Sequence, residues 1–118
     1  MTVLFVAIGG AAGSLARWGL ASAVSADERP WMIVAINVLG SLALGFVVAI
    51  GDGLSPAVRT GIGVGVLGGF TTFSTFSMDV FGEFEAGRGF QALLIVVLSV
   101  GLGVAAAACG WVAGREVG

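Results

Sequence analysis

The segment most able to do chemistry is Gly61-Ile-Gly-Val-Gly65-Val-Leu-Gly68-Gly69-Phe70-Thr71-Thr72-Phe73-Ser74-Thr75-Phe76. Adjacent glycines followed by two β-branched threonines are poor helix formers, yet they interrupt an apolar run that begins at Thr60. At about 1.5 Å per residue, Gly68-Gly69 falls roughly 12–14 Å along that run, near the middle of a bilayer. Unwound backbone at such depth is tolerated only when it is buried in protein or lines a cavity. Freed carbonyls and half-helix ends can then coordinate ions. A packing role competes with that reading, because Gly61, Gly65 and Gly69 repeat at the spacing of close membrane-helix interfaces. Phe73 and Phe76 stand three apart and share a helix face. Phenyl edges carry partial positive charge and can be turned toward an anion, with the Ser74 and Thr75 hydroxyls beside them. As a bare pattern this is weak, because paired Phe in a membrane helix usually just face lipid or core.

Two further residues stand out in apolar surroundings. Asn37 is the only amide in its run, and an unpaired amide in hydrocarbon is expensive, so it faces a neighbouring helix or water. Ser41 lies one turn along the same face. Arg17 interrupts the first apolar run. It either snorkels to the interface or lends a vestibule positive potential that gathers anions.

The elements that must position these groups are four apolar stretches, about 3–24, 31–50, 60–80 and 89–114, together forming one transmembrane domain over 1–118. Each is long enough for about 30 Å of hydrocarbon. The chain is 58% hydrophobic with only five basic and seven acidic residues, too few to wet the surface of a soluble domain. Pro30 and Pro56 mark turns, and Ser55-Pro56 makes a plausible start for the third helix. Ala21-Ser22-Ala23 resembles a cleavage site, but no basic residue precedes the first run, so it is read as retained. Trp18, Trp31 and Trp111 lie toward span ends, where indoles favour the interface.

Several functions are excluded by what is missing. There is no His and a single Cys109, so neither histidine chemistry nor a cysteine metal cluster is available. A net charge of −2 without lysine gives no nucleic-acid footprint. No carboxylate lies inside a span, Asp79 being at the end of the third. Proton-coupled exchange, as in the small multidrug transporters of similar length, needs such a buried carboxylate. With four spans both termini share a side, which carries Arg59 and Arg115, while Arg29 and Arg88 lie opposite with Arg17 near them. The positive-inside rule then has almost no bias to act on, so the chain is expected to insert both ways up and to pair as an antiparallel dimer. A pore would form more easily between two subunits than within four helices.

Over nearly its full length the chain resembles the Fluc/CrcB family of fluoride channels. The motifs are Gly9-Gly10-Ala-Ala-Gly13-Ser-Leu-Ala-Arg17-Trp18, Asn37-Val-Leu-Gly40 and Gly65-Val-Leu-Gly68-Gly69-Phe-Thr71-Thr72-Phe73-Ser74-Thr75-Phe76. The resemblance implies an all-α dual-topology dimer with a broken third helix and two passive fluoride pathways, exporting fluoride across the plasma (inner) membrane. It implies pores lined by Phe73 and Phe76 with Asn37 near them. It also implies a structural Na⁺ at the dimer centre, held by the backbone carbonyls of Gly68 and Thr71. Ser74 and Thr75 would add weak contacts, and Arg17 a vestibule charge. Two departures stand against the pattern. Met32-Ile33 replaces a usual Gly-Thr pair, and the fourth helix has no Tyr, offering only Ser99 inside and Gln91 near its start. Such depletion would suit one half of a heterodimer, non-conducting or half-active, whereas the balanced arginines favour a homodimer.

Overall fold

Long apolar runs with few breakers become long helices, and the computed structural model, which describes residues 1–118, is helical almost throughout. In chain order it contains α1 (Thr2–Ser22), α2 (Arg29–Ile50), a 3₁₀ turn (Gly51–Gly53), α3 (Pro56–Thr60), a π-helical segment (Gly61–Leu67), α4 (Gly68–Phe70), α5 (Phe73–Glu85) and α6 (Gly89–Val117). There is no strand. Three helices, α1, α2 with its 3₁₀ extension, and α6, are each long and apolar enough to cross a membrane.

The connections follow local chemistry. Pro30 sits in the first turn of α2, where its missing N–H costs nothing. The Ser55 hydroxyl caps α3 by accepting from the Val58 amide at 3.3 Å. α5 ends in a Schellman turn: the Arg88 amide donates to the Glu83 carbonyl and the Gly87 amide to that of Phe84. Gly87 takes φ +82°, which a side chain would resist. The Arg88 guanidinium folds back onto Glu83, bonding both carboxylate oxygens, with Nη2–Oε1 at 3.1 Å.

Glycine brings the helices together backbone to backbone. α2 packs most extensively on α6, where a Cβ on Gly110 would strike the Leu42 carbonyl and one on Gly45 the Ala107 carbonyl. On the other side α1 lies against residues 61–70. A Cβ on Gly69 would come within 2.7 Å of the Gly10 carbonyl, and one on Gly61 within 2.7 Å of Phe5 Cβ. The repeat Gly61, Gly65, Gly69 is therefore a packing face toward α1.

The core is thin. Its buried apolar residues are Ile33, Val34 and Ile36 of α2 with Ala92 and Ile95 of α6. Large apolar side chains on α1, α2, α5 and α6 are left exposed, from Leu15 and Trp18 to Phe90 and Val104. That surface is unsuited to water and requires lipid or another protein against it.

Candidate functional site

The third apolar run changes backbone form in the middle of its length. The Gly68 amide donates to the carbonyls of Gly63, five residues back, and Gly65, the widened pattern of a π-helix. The helix then stops at Phe70. Thr71 (ψ 158°) and Thr72 (φ −151°, ψ 126°) are extended, and helix resumes at Phe73.

Two extended residues in an apolar setting leave polar groups that need partners. Asn37 of α2 supplies them to Thr72. Its Oδ1 accepts from the Thr72 amide at 2.9 Å, and its Nδ2 donates to the Thr72 carbonyl at 3.0 Å. One side-chain amide thus imitates a strand neighbour. Thr71 turns its hydroxyl back to the Leu67 carbonyl at 2.9 Å, and its own carbonyl accepts from Arg17 Nη1 of α1 at 3.3 Å. Thr72 then starts α5, its hydroxyl accepting from the Thr75 amide at 3.2 Å. Gly40 belongs to the same construction, because a Cβ there would collide with the Thr71 methyl.

This accounting leaves the Gly68 carbonyl without its usual helical donor. The amide four residues on is that of Thr72, and it is committed to Asn37.

Beside the interruption lies a cavity of about 330 Å³, open on one side. Asn37, Gly68, Thr71, Phe73 and Phe76 contribute to its wall, with Thr72 and the hydroxyl-bearing Ser41 and Ser99. The Phe73 and Phe76 rings are 5.8 Å apart between centroids and tilted by 50°, so one presents its edge region rather than stacking flat. Phe73 is 79% exposed on the single chain. Ser99 Oγ is buried and makes no hydrogen bond to protein.

Ser74 and Thr75 do not line this cavity and face outward; Ser74 Oγ lies 3.4 Å from Thr72 Oγ1. Arg17 reaches the interruption from the α1 side. Sequence reasoning left the partner of Asn37 open, and the geometry assigns it to the Thr72 backbone. Thr72 itself was missed as a centre of the site. Its place directly before Phe73, as a threonine three residues ahead of Thr75, was the available capping signal.

Fold and site together describe an all-helical chain with a surface suited to lipid, interrupted at Thr71-Thr72 beside a partly polar cavity. Residues 4–111 match the family described as "CrcB-like protein, Camphor Resistance (CrcB)". The chain belongs to that family. A Deinococcus radiodurans protein named "Fluoride-specific ion channel FluC" is 47% identical, covering 97% of this chain and 95% of its own length. A Geobacter sulfurreducens protein of the same name is 38% identical over 98% of both chains. One from Erythrobacter litoralis, again so named, is 45% identical, covering 87% of this chain and 84% of its own. These relatives are channels by name, not enzymes.

Proposed function

We propose that this chain is a passive, fluoride-selective channel subunit that lets fluoride leave the cytoplasm across the plasma (inner) membrane. The observation that carries the reading is the cavity in which the Phe73 and Phe76 rings, the Asn37 amide and an unpartnered Ser99 hydroxyl converge. It is supported by the names of relatives that align over nearly the whole chain.

Fluoride is small and strongly hydrated, so a pore must replace water with several modest donors and still let the ion leave. Ring edges are electropositive without being charged, and hydroxyls donate weakly. Asn37 keeps one N–H beyond the bond to Thr72, since its amide nitrogen carries two. Ser74 and Thr75, outward on one chain, would join the path where a second copy covers them. Residues 60–80 would together make a fourth membrane crossing, interrupted at Thr71-Thr72.

The working unit in this reading is an antiparallel homodimer, which would close the open side of the cavity and cover Phe73. The resemblance also implies a structural Na⁺, and the donor set suits one. The Gly68 carbonyl is free of its helical donor, and carbonyl oxygens are the ligands hard cations prefer. Gly68 and Thr71 would hold it, and when bound it supplies a fixed positive charge in a low-dielectric core.

A second reading rests on α6, whose interior brings a single hydroxyl, Ser99, to the cavity. A chain so poor in fourth-helix donors could be the non-conducting or half-active partner in a heterodimer. One experiment separates the two. The purified chain alone is reconstituted in fluoride-loaded liposomes, and efflux is followed with a fluoride electrode after adding a potassium ionophore. Rapid fluoride release without chloride release identifies a self-sufficient channel. Absent release from well-folded dimers identifies the partner subunit.

A further inference from the structure

Arg17 and the proposed sodium ion call on the same oxygen. The guanidinium donates to the Thr71 carbonyl at 3.3 Å and makes no other hydrogen bond and no ion pair within the chain. A side chain with five donors, permanently charged, is thus tied to the interruption by one long bond. Close helix contact puts it there: Gly13, one turn earlier, lies so near residues 66–70 that a Cβ would meet the Phe70 amide at 2.8 Å. Two cations on one carbonyl in a low-dielectric surrounding repel each other strongly, since little water is present to screen them.

We propose that Arg17 is the chain's own cation for the Thr71 carbonyl, a positioning residue that holds the interruption before sodium binds and is displaced when it does. The inference rests on the sodium reading above. Once displaced, the guanidinium swings off the interruption toward the wet end of α1, because it has no second partner within the chain. Sodium binding and the position of a mobile positive charge are then coupled, and the coupling is reciprocal: whatever holds Arg17 on Thr71 weakens sodium by the same factor.

The test uses the whole protein in detergent, with NaCl replaced in steps by choline chloride at constant ionic strength. The readout is the unfolding temperature by intrinsic tryptophan fluorescence, and hence the sodium concentration at half-effect. Arg17→Gln removes the competing charge, so the half-effect concentration should fall on the order of tenfold. Arg17→Lys is the second variant. Its compact, strongly hydrated ammonium is drawn to water rather than to the carbonyl, so the concentration should fall by less. A rise, or no change, in both variants while wild type responds to sodium would overturn the displacement and leave the sodium site standing. No sodium response in wild type would overturn both.

Discussion

At the scale of single residues, Asn37 is held at both polar atoms of its side chain. Its amide answers both polar atoms of Thr72, so its loss strands a donor and an acceptor together. Asn37→Leu, which fits sterically but bonds nothing, should cost about 1–3 kcal/mol and stop flux. Asn37→Asp is the finer probe. It keeps the acceptor for the Thr72 amide but sets an oxygen against the Thr72 carbonyl, so it should also destabilise. Thermal unfolding in detergent, with Asn37→Ser alongside, reads both. The aromatic pair predicts something different. Phe73→Ile and Phe76→Ile keep apolar bulk and remove the ring edges, so fluoride efflux should fall while dimer elution is unchanged. Undiminished efflux from both would remove the rings from the path.

Helices and their junctions set the next scale, where glycine decides. Gly110→Ala would drive a methyl into the Leu42 carbonyl and part α2 from α6, whereas Gly82→Ala meets nothing within 4 Å. The first should lose the monodisperse peak in size-exclusion chromatography. The second should elute as wild type and be slightly more stable, because alanine is the better helix former. The α5–α6 turn gives a pH prediction. Arg88 bonds the Glu83 carboxylate and holds its pKa below the ordinary 4.5. A lowered pKa means the contribution is present above pH 4.5 and is lost as pH falls through the folded value. Glu83→Gln should therefore narrow the stability difference between neutral and acid solution, measured as unfolding temperature from pH 7 to pH 3.

The same scale shows what the sequence could and could not tell. The all-helical class and the long apolar helices were legible because lipid-facing helices need apolar residues on every side, which composition records directly. Gly68-Gly69 and the paired threonines marked a weak point in the third run. The π-helical stretch at Gly61–Leu67 was not legible. Its glycines read equally well as packing, and the structure uses them for packing against α1. Nor could the sequence join Asn37 to Thr72. They are 35 residues apart, and an apolar run around an amide says only that it needs a partner. Arg17 left two readings, and its bond to the Thr71 carbonyl belongs to neither, because only the close approach at Gly13 brings the two together.

On the scale of the whole molecule, orientation becomes testable. Arg59 and Arg115 on one side balance Arg29 and Arg88 on the other, as the sequence assigns them. Adding positive charge at one end, by Asp52→Lys with Glu116→Lys, should force one orientation. In the antiparallel-dimer reading, that variant expressed alone should give no fluoride efflux. Efflux should return when it is co-expressed with a chain biased the other way by Ser25→Arg and Glu28→Arg. Full activity from the first variant alone would count against dual topology.

The clasp between Asn37 and Thr72 also bears on the order in which the chain enters the bilayer. α2 emerges from synthesis well before Thr72 exists, carrying an amide with nothing to bond. The extended pair at Thr71-Thr72, arriving later, is equally unfit to meet lipid alone. Neither element is a good passenger by itself. The physical economy is for α2 to wait in a protein-lined or hydrated place until its partner comes, so that the two cross into lipid as one hydrogen-bonded unit.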